Sequence, residues 1–427
     1  MPPRLSVGSL CSRCVLRQRN LSSMSFAQKQ ADLPPPPPEA GHVRLTNRAL
    51  ISLTGVDSTA FLQGLITQNV VTPKNRASLR TPFYAGFLNA QGRLLHDAFI
   101  YPTLPEGNEA SGTLELGYFI EVDREQVPNL LKHFMKHKLR AKLNFRALDE
   151  GERDVWAAWD NAGNWEMKES GGVLKEAVLS CADKRAPGFG YRLLASGGDL
   201  RRLRQPLPGE EVPLAAYTLR RFLHGIPEGQ NELVRESALP MDSNMDVMGG
   251  IDFHKGCYLG QELTIRTHHR GVIRKRILPV QLYNIDDAKP AHSGAGMPVY
   301  SASHQVNLPP VGANITKSSA SGKGRSAGRF ISGIGNVGLA LCRLETMTDI
   351  SLTGESSQYN PDEDFKISWE ADVTAGAIDT GEVKVKAFVL PWVKEYILNG
   401  GVRQRTTKED VQRAKDRVEQ IEEDVRS

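Results

Sequence analysis

The sequence predicts an α+β fold that is followed by a small C-terminal β-barrel. In the first two thirds of the chain, short strands mix with helices and hairpins, which favours α+β packing over a doubly wound parallel sheet. After about Leu278 the pattern changes to short β-like runs separated by Gly and Pro, as in a small barrel or sandwich. With 427 residues, 40% of them hydrophobic, the chain is long enough for two or three domains.

The amino terminus has the composition of a targeting segment. Residues 1–31 are basic and rich in serine, and no acidic residue precedes Asp32. This pattern is typical of a mitochondrial presequence, and a disordered basic tail with no address is the alternative. Cys11 and Cys14 have CxxC spacing, but no second pair lies nearby to complete four metal ligands. With the stiff polyproline spacer Pro34–Pro38, residues 1–40 are predicted to precede the folded body, and the mitochondrial matrix is the predicted location.

The first elements of the body follow from alternation and from turn residues. Residues 48–54 alternate as a strand does, and Asp57 is a suitable N-cap for a helix over Ser58–Ile66. The runs Tyr84–Leu88 and Arg93–Tyr101 flank Asn89-Ala-Gln-Gly92, whose glycine suits a turn position with positive φ. These two runs are therefore predicted to form a hairpin.

The rest of the body continues the mixture of strands and helices. Gly117–Val122 is predicted as a strand, and Asp123 as the cap of a helix. The apolar face predicted for that helix contains Leu130, Leu131, Phe134 and Met135. The further predicted strands are Ala141–Leu148, Val155–Trp159 and Tyr191–Ala195, and a helix over Tyr217–His224 is expected to end at Gly225 and Pro227.

The C-terminal part is predicted as a barrel over residues 281–400. Two polar stretches interrupt it, 301–329 and 354–382, and both are interpreted as solvated insertions or long loops. In residues 401–427, apolar side chains recur at a spacing that predicts an amphipathic helix, which is expected to pack on its own domain: Val411, Ala414, Val418, Ile421 and Val425.

Composition excludes several classes of protein. The 53 Lys+Arg and 49 Asp+Glu residues leave a formal charge of +4, which does not indicate a nucleic-acid partner. No run of about 18 apolar residues occurs, so no membrane-spanning helix is predicted. Five cysteines are an odd and sparse set, which excludes a disulfide-framed scaffold and fits a reducing compartment.

The most unusual segment surrounds Cys257. This cysteine lies between Gly256 and Gly260, which allow close backbone approach, and beside Lys255, a cation that can favour a thiolate. A buried, inert cysteine is the alternative. Residues 255–276 carry six basic side chains against one acid, so the local field is positive. The adjacent His268 and His269 are expected to point to opposite faces of a strand, which disfavours a shared metal ion.

The octapeptide Lys255-Gly-Cys-Tyr-Leu-Gly-Gln-Glu262 matches KGC[FY]xGQE, a motif of folate-binding proteins that resemble the T-protein (aminomethyltransferase) of the glycine cleavage system. The flanking residues resemble the mitochondrial branch of this family, whose members are iron–sulfur cluster assembly factors; they are 225–229, Leu239-Pro240, Asn244 and 266–276. The resemblance runs from about residue 43 to 345. It implies a T-protein-like body over 41–280, with ferredoxin-like elements, before the C-terminal barrel.

The resemblance also implies a function and a site. Members of the branch act with A-type iron–sulfur carrier proteins in the maturation of [4Fe-4S] client proteins. Because Cys181, Cys257 and Cys342 form no cluster motif, Cys257 is predicted to be one ligand of a [2Fe-2S] cluster shared with a partner. The residues expected to shape the motif loop are Lys255, Gly256, Tyr258, Gly260, Gln261 and Glu262.

The alternative implied by the resemblance is a tetrahydrofolate-dependent aminomethyl transferase. The T-protein enzymes carry a pattern like Gly-Gly-x-x-Asp-Asp, of which this chain keeps Asp97 while His96 replaces the other acid. Their Arg-x-Glu-x-Gly stretch corresponds here to residues 221–225, with Leu223 where the acid would be. Since leucine cannot bind the pterin N–H groups, tight folate binding is not expected. The candidate residues of a folate pocket are Asp97, Asn89, Arg221 and Asn244, and no catalytic residue is assigned.

Overall fold

The computed structural model describes residues 33–71, 81–103, 117–167, 178–197, 205–290, 296–319, 326–352, 359–373 and 377–400. The predicted presequence and the predicted tail helix over 401–427 lie outside the described residues. Within the described part, no helix combines the length and the apolar character needed to cross a bilayer.

The helices and strands are numbered in chain order. The first half contains β1 (Ala40–Arg44), β2 (Arg48–Thr54), α1 (Ser58–Gln63), β3 (Phe83–Leu88), β4 (Leu94–Thr103), β5 (Gly117–Asp123), α2 (Val127–Lys138), β6 (Asn144–Ala147), β7 (Arg153–Asp160), β8 (Val178–Ala182) and β9 (Tyr191–Ser196). The second half contains β10 (Glu210–Glu211), α3 (Leu214–Leu223), α4 (Gln261–Arg270), β11 (Lys275–Tyr283), β12 (Asn314–Lys317), β13 (Gly328–Ile334), β14 (Val337–Arg343), α5 (Leu344–Met347), β15 (Phe365–Val373), β16 (Ala377–Ala387) and α6 (Pro391–Leu398).

The first sheet has the strand order β3-β4-β5-β2-β6, and all of its pairs are antiparallel. The predicted hairpin is β3–β4, and Gly92 in its turn has φ +78°. Successive side chains of a strand point to opposite faces. Ile100 therefore joins the apolar cluster of Phe87 and Phe134 on the side of α1 and α2, whereas Phe99 belongs to a second cluster on the other side.

The second sheet has the order β10-β1-β7-β9-β8. Only the short β10–β1 pair is parallel among its pairs in the described residues. Trp159 and Leu194 of this sheet, Phe99 of the first sheet and Tyr217 of α3 share one apolar cluster, so the two sheets face each other across it. Helices mixed with mainly antiparallel strands confirm the α+β prediction.

The six C-terminal strands close into an antiparallel barrel of order β11-β14-β13-β12-β15-β16, as predicted. The interpretation of 301–329 and 354–382 as insertions is wrong in part, because β12 lies in the first stretch and much of β15 and β16 in the second. Their inward side chains, such as Ile315, Phe365 and Ile367, are buried in the barrel core. Polar residues alternate with them on the outside, and this mixture resembles a loop in composition.

Two helix predictions need correction. Asp57 does precede α1, but its carboxylate accepts a hydrogen bond from the backbone N–H of Lys142 at 2.6 Å and does not cap the helix. Asp123 caps a 3₁₀ turn, accepting from Glu125 N at 3.0 Å, before α2 begins. On α2 itself, Leu130 and Phe134 are buried, whereas Met135, predicted on the same face, is 67% exposed.

Residues 33–38 lie along the body and form what we call the N-terminal strap. The carbonyl oxygen of Pro34 accepts a hydrogen bond from the Tyr300 hydroxyl of the barrel region at 2.6 Å. The carbonyl oxygen of Pro38 accepts one from Trp159 Nε1 in β7 at 3.0 Å. The segment predicted as a polyproline spacer therefore joins the second sheet to the barrel region.

Candidate functional site

The motif loop, residues 252–260, leads into α4 and lies against the segment that follows α1. Backbone hydrogen bonds join Asp252 N to Thr67 O at 3.0 Å and Leu259 N to Gly64 O at 2.9 Å. Thr67 is itself buried, and its hydroxyl donates to Gly250 O at 2.5 Å. Because both ends of the loop are tied to one segment of the first sheet's domain, its conformation is fixed by the body of the protein.

Lys255 anchors the middle of the loop. Its Nζ donates to the carbonyl oxygens of Gln63, Ile66 and Gln68 at 2.9, 2.6 and 3.0 Å. An ammonium group has three N–H donors, so all three are used and none is left for the Cys257 thiolate. Burial lowers the pKa of Lys255 to about 7, while Asp252 acts in the opposite direction. The residue expected to activate the thiol is thus an anchor of the loop.

The two glycines of the motif have different roles. Gly260 has φ +78°, and a Cβ added there would lie 2.1 Å from the carbonyl oxygen of Asn89 in the β3–β4 turn. A Cβ added at Gly92 of the same turn would lie 2.9 Å from Gly260 O. Gly256 has open space around it, so the close approach predicted for both glycines occurs only at Gly260.

Cys257 is exposed at the outer edge of the loop, and it is a free thiol. The other cysteines of the described part, Cys181 and Cys342, are both buried. Burial raises the pKa of the Cys342 thiol well above its usual range, so it stays protonated. Of the three, only Cys257 is accessible to a metal or an electrophile in another molecule.

The remaining motif residues order the start of α4. The side-chain oxygen Oε1 of Gln261 accepts a hydrogen bond from the backbone N–H of Tyr258 at 3.2 Å. Tyr258 is 5% exposed, and its ring lies 4.8 Å from Lys255 Nζ, a cation–π contact. Glu262 is exposed in the first turn of α4, where a carboxylate interacts favourably with the helix dipole.

His268 and His269 lie in α4, so the expectation that they occupy a strand is wrong. Their ring centroids are 5.1 Å apart. The His268 ring stacks on Phe253 of the motif loop at 3.7 Å, with 7° between the planes, and this contact packs the loop onto α4. Phe253 was not singled out from the sequence. Among the described residues, no three His, Cys, Asp or Glu side chains are grouped as metal ligands would be.

Asp97 and Arg221 belong to a buried charge network between the two sheets. Its members are Arg48, Asp97, Glu121, Asp183, Arg185, Arg192, Arg221, Glu228 and Glu232. Asp97 accepts from Arg48 at 3.2 Å and from Gly229 N at 3.2 Å. Arg221 donates two hydrogen bonds to Glu232, at 2.7 and 2.9 Å. The groups expected to bind folate are therefore paired within the protein.

The other two folate-pocket candidates also have local partners. Asn89 Oδ1 accepts from the backbone N–H groups of Gln91 and Arg93 at 3.0 and 2.9 Å, which stabilises the hairpin turn. Asn244 is buried with φ +61°, and its Nδ2 donates to Ile277 O at 2.5 Å. All four folate-pocket candidates therefore have hydrogen-bond partners within the protein.

A cavity of about 540 Å³ lies instead where the β8–β9 loop meets α6. Its lining includes the rings of Trp165, Tyr191 and Trp392 and the carboxylates of Asp160, Glu166 and Glu395. None of these residues was predicted to line a site, because they come from three distant parts of the sequence and carry no local motif. The lining also includes Asp183, Lys184 and Arg185, so the cavity carries charges of both signs.

Comparisons with other proteins give closely similar sequences. The iron–sulfur cluster assembly factor IBA57 homolog, mitochondrial, of Coccidioides immitis is 75% identical over 425 residues, covering 99% of this chain and 100% of that protein. The protein of the same name from Aspergillus clavatus is 51% identical, covering 99% and 98%. That from Neurospora crassa is 43% identical, covering 89% and 85%.

Two further comparisons concern the fold. Residues 274–395 match the family described as CAF17, C-terminal beta-barrel domain. The crystal structure of the glycine cleavage system aminomethyltransferase T from Bartonella henselae is similar with a TM-score of 0.52. It covers 83% of this chain and 86% of that protein at 14% sequence identity, so the likeness concerns the fold alone.

Proposed function

This chain belongs to the IBA57 family of mitochondrial iron–sulfur cluster assembly factors, and from that premise we propose that Cys257 is the residue through which it handles a cluster. The protein works in mitochondria, as the names of its relatives state for them. The proposed compartment is the matrix, in line with the basic, serine-rich leader. The cluster is cargo that the protein helps to build or pass on.

The observation that carries this proposal is the exposure of Cys257 on a loop held in place by the body. Iron–sulfur clusters are normally held by four thiolates. Cys181 and Cys342 are buried and lie on β8 and β14, in different sheets, so they cannot join Cys257 around one cluster. Among the described residues no second thiol is available, and we propose that a partner supplies the other ligands. The proposed partner is an A-type carrier protein, the shared cluster is [2Fe-2S], and the clients are [4Fe-4S] proteins.

The anchoring of the motif loop supports this role. Lys255, Gly260 and Leu259 tie the loop to α1 and to the β3–β4 turn, while Gly256 and Cys257 face open space. A thiol presented on a rigid support loses little conformational entropy when it becomes a ligand. The open space around Gly256 leaves room for the surface of a partner.

The test is anaerobic reconstitution of the intact protein with an A-type carrier, iron and sulfide. Size-exclusion chromatography and visible absorbance should show a cluster-bound complex with the wild-type protein and none with Cys257→Ala. His254→Ala is the matched control, since its side chain is 95% exposed on the same loop and it should leave the complex intact. A Cys257→Ala protein that forms the same complex with the same spectrum would overturn the proposal.

Tetrahydrofolate-dependent aminomethyl transfer is the less favoured function. Asp97, Arg221, Asn89 and Asn244 are all bound to other groups of the protein, and Leu223 stands where the enzymes carry an acid. The residues present therefore do not fit a folate held as in the enzymes.

A further inference from the structure

The segment from Val127 to Leu148 contains no acidic residue. It carries six lysines and arginines, which are Lys132, Lys136, Lys138, Arg140, Lys142 and Arg146, and two histidines. Arg146 is paired with Glu152 at 2.6 Å, but the other five cations form no ion pair with a residue of the described part. A cationic surface is therefore concentrated around α2 and the turn that follows it, although the net charge of the chain is small.

The helix presents apolar side chains among these cations. Val127, Leu130 and Phe134 face the first sheet, whereas Lys132, Met135 and Lys136 lie on the outer face and Leu139 directly follows the helix. Met135 is 67% exposed and Leu139 is 89% exposed. We call the surface formed by residues 132–142 the α2 tip.

Val56 adds a third exposed apolar side chain beside the α2 tip. It is 56% exposed and precedes Asp57, whose carboxylate accepts from Lys142 N at 2.6 Å and whose N–H donates to Lys142 O at 3.4 Å. These two hydrogen bonds hold the β2–α1 turn beside the end of the basic segment. Three exposed apolar side chains therefore occupy one corner of the molecule.

The backbone at Leu139 is in an unfavourable conformation. Its φ of 45° and ψ of −113° belong to a region that bulky residues rarely adopt and that glycine adopts freely. Such strain persists where the surrounding structure imposes it, and it clusters at functional positions. Here the strained residue is a leucine with most of its surface in solvent. Neither the end of the helix nor the packing of the core requires a leucine at this position.

We propose that the α2 tip is a docking surface for an anionic phospholipid bilayer. Lysine and arginine side chains bind the headgroup region electrostatically, and exposed apolar residues between them insert at the boundary of the acyl chains. The surface has no exposed Phe, Tyr or Trp ring on which a base could stack, which disfavours a single-stranded nucleic acid. A stable protein interface has a buried apolar centre, and three apolar side chains among five cations are too few to form one. This disfavours a protein partner.

The test is sedimentation of the full-length protein with vesicles of phosphatidylcholine that contain phosphatidylglycerol, and with vesicles of pure phosphatidylcholine. We expect binding to the anionic vesicles only, and weaker binding as salt is raised. The Lys136→Glu/Arg140→Glu variant should lower the partition coefficient at least about thirtyfold. Arg274→Glu/Arg329→Glu, which reverses two exposed cations elsewhere, is the charge-matched control and should bind like the wild type.

Leu139→Gly tests the apolar part of the proposal. Glycine accepts the positive φ, so the variant should be at least as stable as the wild type, yet bind anionic vesicles several-fold more weakly. A wild-type protein that does not sediment with anionic vesicles would overturn the proposal. Binding that is lost equally in the charge-matched control would also overturn it. So would binding that falls on charge reversal but is unchanged in Leu139→Gly, because a surface that binds any polyanion or acidic protein would behave in that way.

Discussion

Lys255 shows how much of the motif loop depends on one side chain. Its three N–H groups meet three backbone carbonyl oxygens at the end of α1, where the helix dipole also favours a cation. The sequence could not reveal this partner set, because Gln63, Ile66 and Gln68 are almost two hundred residues away and contribute only backbone atoms. Its role is therefore structural support of the thiol.

Replacement of Lys255 by Met should loosen the loop. The side chain keeps its length, but three carbonyl oxygens lose their donor, and we expect a loss of about 2 kcal/mol or more in the free energy of unfolding. Urea denaturation measures this loss, and the rate of Cys257 alkylation reports the mobility of the motif loop. Lys394→Met, which removes a surface ion pair to Asp349, should change stability by less than about 1 kcal/mol. Equal effects of the two substitutions would contradict the anchoring role.

His96 makes stability sensitive to acid. It is 0% exposed, and burial lowers its pKa to about 3, with Arg235, His133 and Arg48 acting in the same direction. The unfolded chain takes up a proton near pH 6.5, whereas the folded protein does so only near pH 3. The stabilisation is therefore complete above pH 6.5 and is lost as the pH falls toward 3.

His96→Leu should remove this part of the acid sensitivity. The quantity to compare is the free energy of unfolding of the variant minus that of the wild type. This difference should be about 2 kcal/mol more favourable to the variant at pH 5 than at pH 8. Urea denaturation at a series of pH values measures the gain. His254→Leu, at a site 95% exposed, should leave the pH dependence unchanged. A His96→Leu protein whose stability falls with pH as steeply as the wild type would show that His96 is not responsible.

At the scale of elements, the β3–β4 turn and the start of α4 support each other. The turn was predictable because Asn89 and Gly92 are local turn signals, and the structure confirms the hairpin. α4 was missed because its apolar residues, Leu263 and Ile265, are two positions apart and the side chain between them, Thr264, is the buried one, so apolar helical periodicity is weak. The contact between Gly260 and Asn89 joins residues from two parts of the chain, and no local pattern could predict it.

Gly260→Ala should separate these two elements. The substitution places a Cβ against the Asn89 carbonyl oxygen and imposes a positive φ on alanine, so we expect a loss of about 2 kcal/mol or more in stability. Gly256→Ala is the matched control in the same loop, and it should change stability by less than about 0.5 kcal/mol because its Cβ meets open space. Thermal and urea denaturation compare the stability of the two variants. Similar losses at both positions would show that the close approach at Gly260 is unimportant.

At the scale of the whole molecule, the buried charge network joins the two sheets of the body. Arg48 and Glu121 come from the first sheet, Arg192 from the second, and Glu228 from the segment after α3. Burial alone would raise the pKa of Glu228, but Arg192, Arg185, Arg221 and Arg48 hold it well below its usual range. The alternation of apolar and polar residues predicted strands in this region. The pairing of charges between distant parts of the sequence leaves no local signal.

Glu228→Gln should destabilise both sheets together. Glu228 accepts hydrogen bonds from Arg185, Arg192 and Tyr217, and its loss removes one of the counter-charges of each buried guanidinium group. We expect a loss of about 3–5 kcal/mol in the free energy of unfolding. Glu236→Gln, whose side chain is 57% exposed, is the control and should be nearly neutral. Native-state hydrogen exchange should show faster opening of β2 and β9 in Glu228→Gln; acceleration confined to one sheet would contradict the role as a link.

The N-terminal strap sets a limit on proteolytic trimming. A cut before Leu33 preserves the hydrogen bonds of both Pro34 and Pro38, whereas a cut after Pro38 removes both and leaves the Trp159 indole N–H without its acceptor. If the predicted presequence is removed by a protease, the folded body already depends on the residues that follow it. The hydrogen bonds of the strap would then limit how far trimming can extend into the chain.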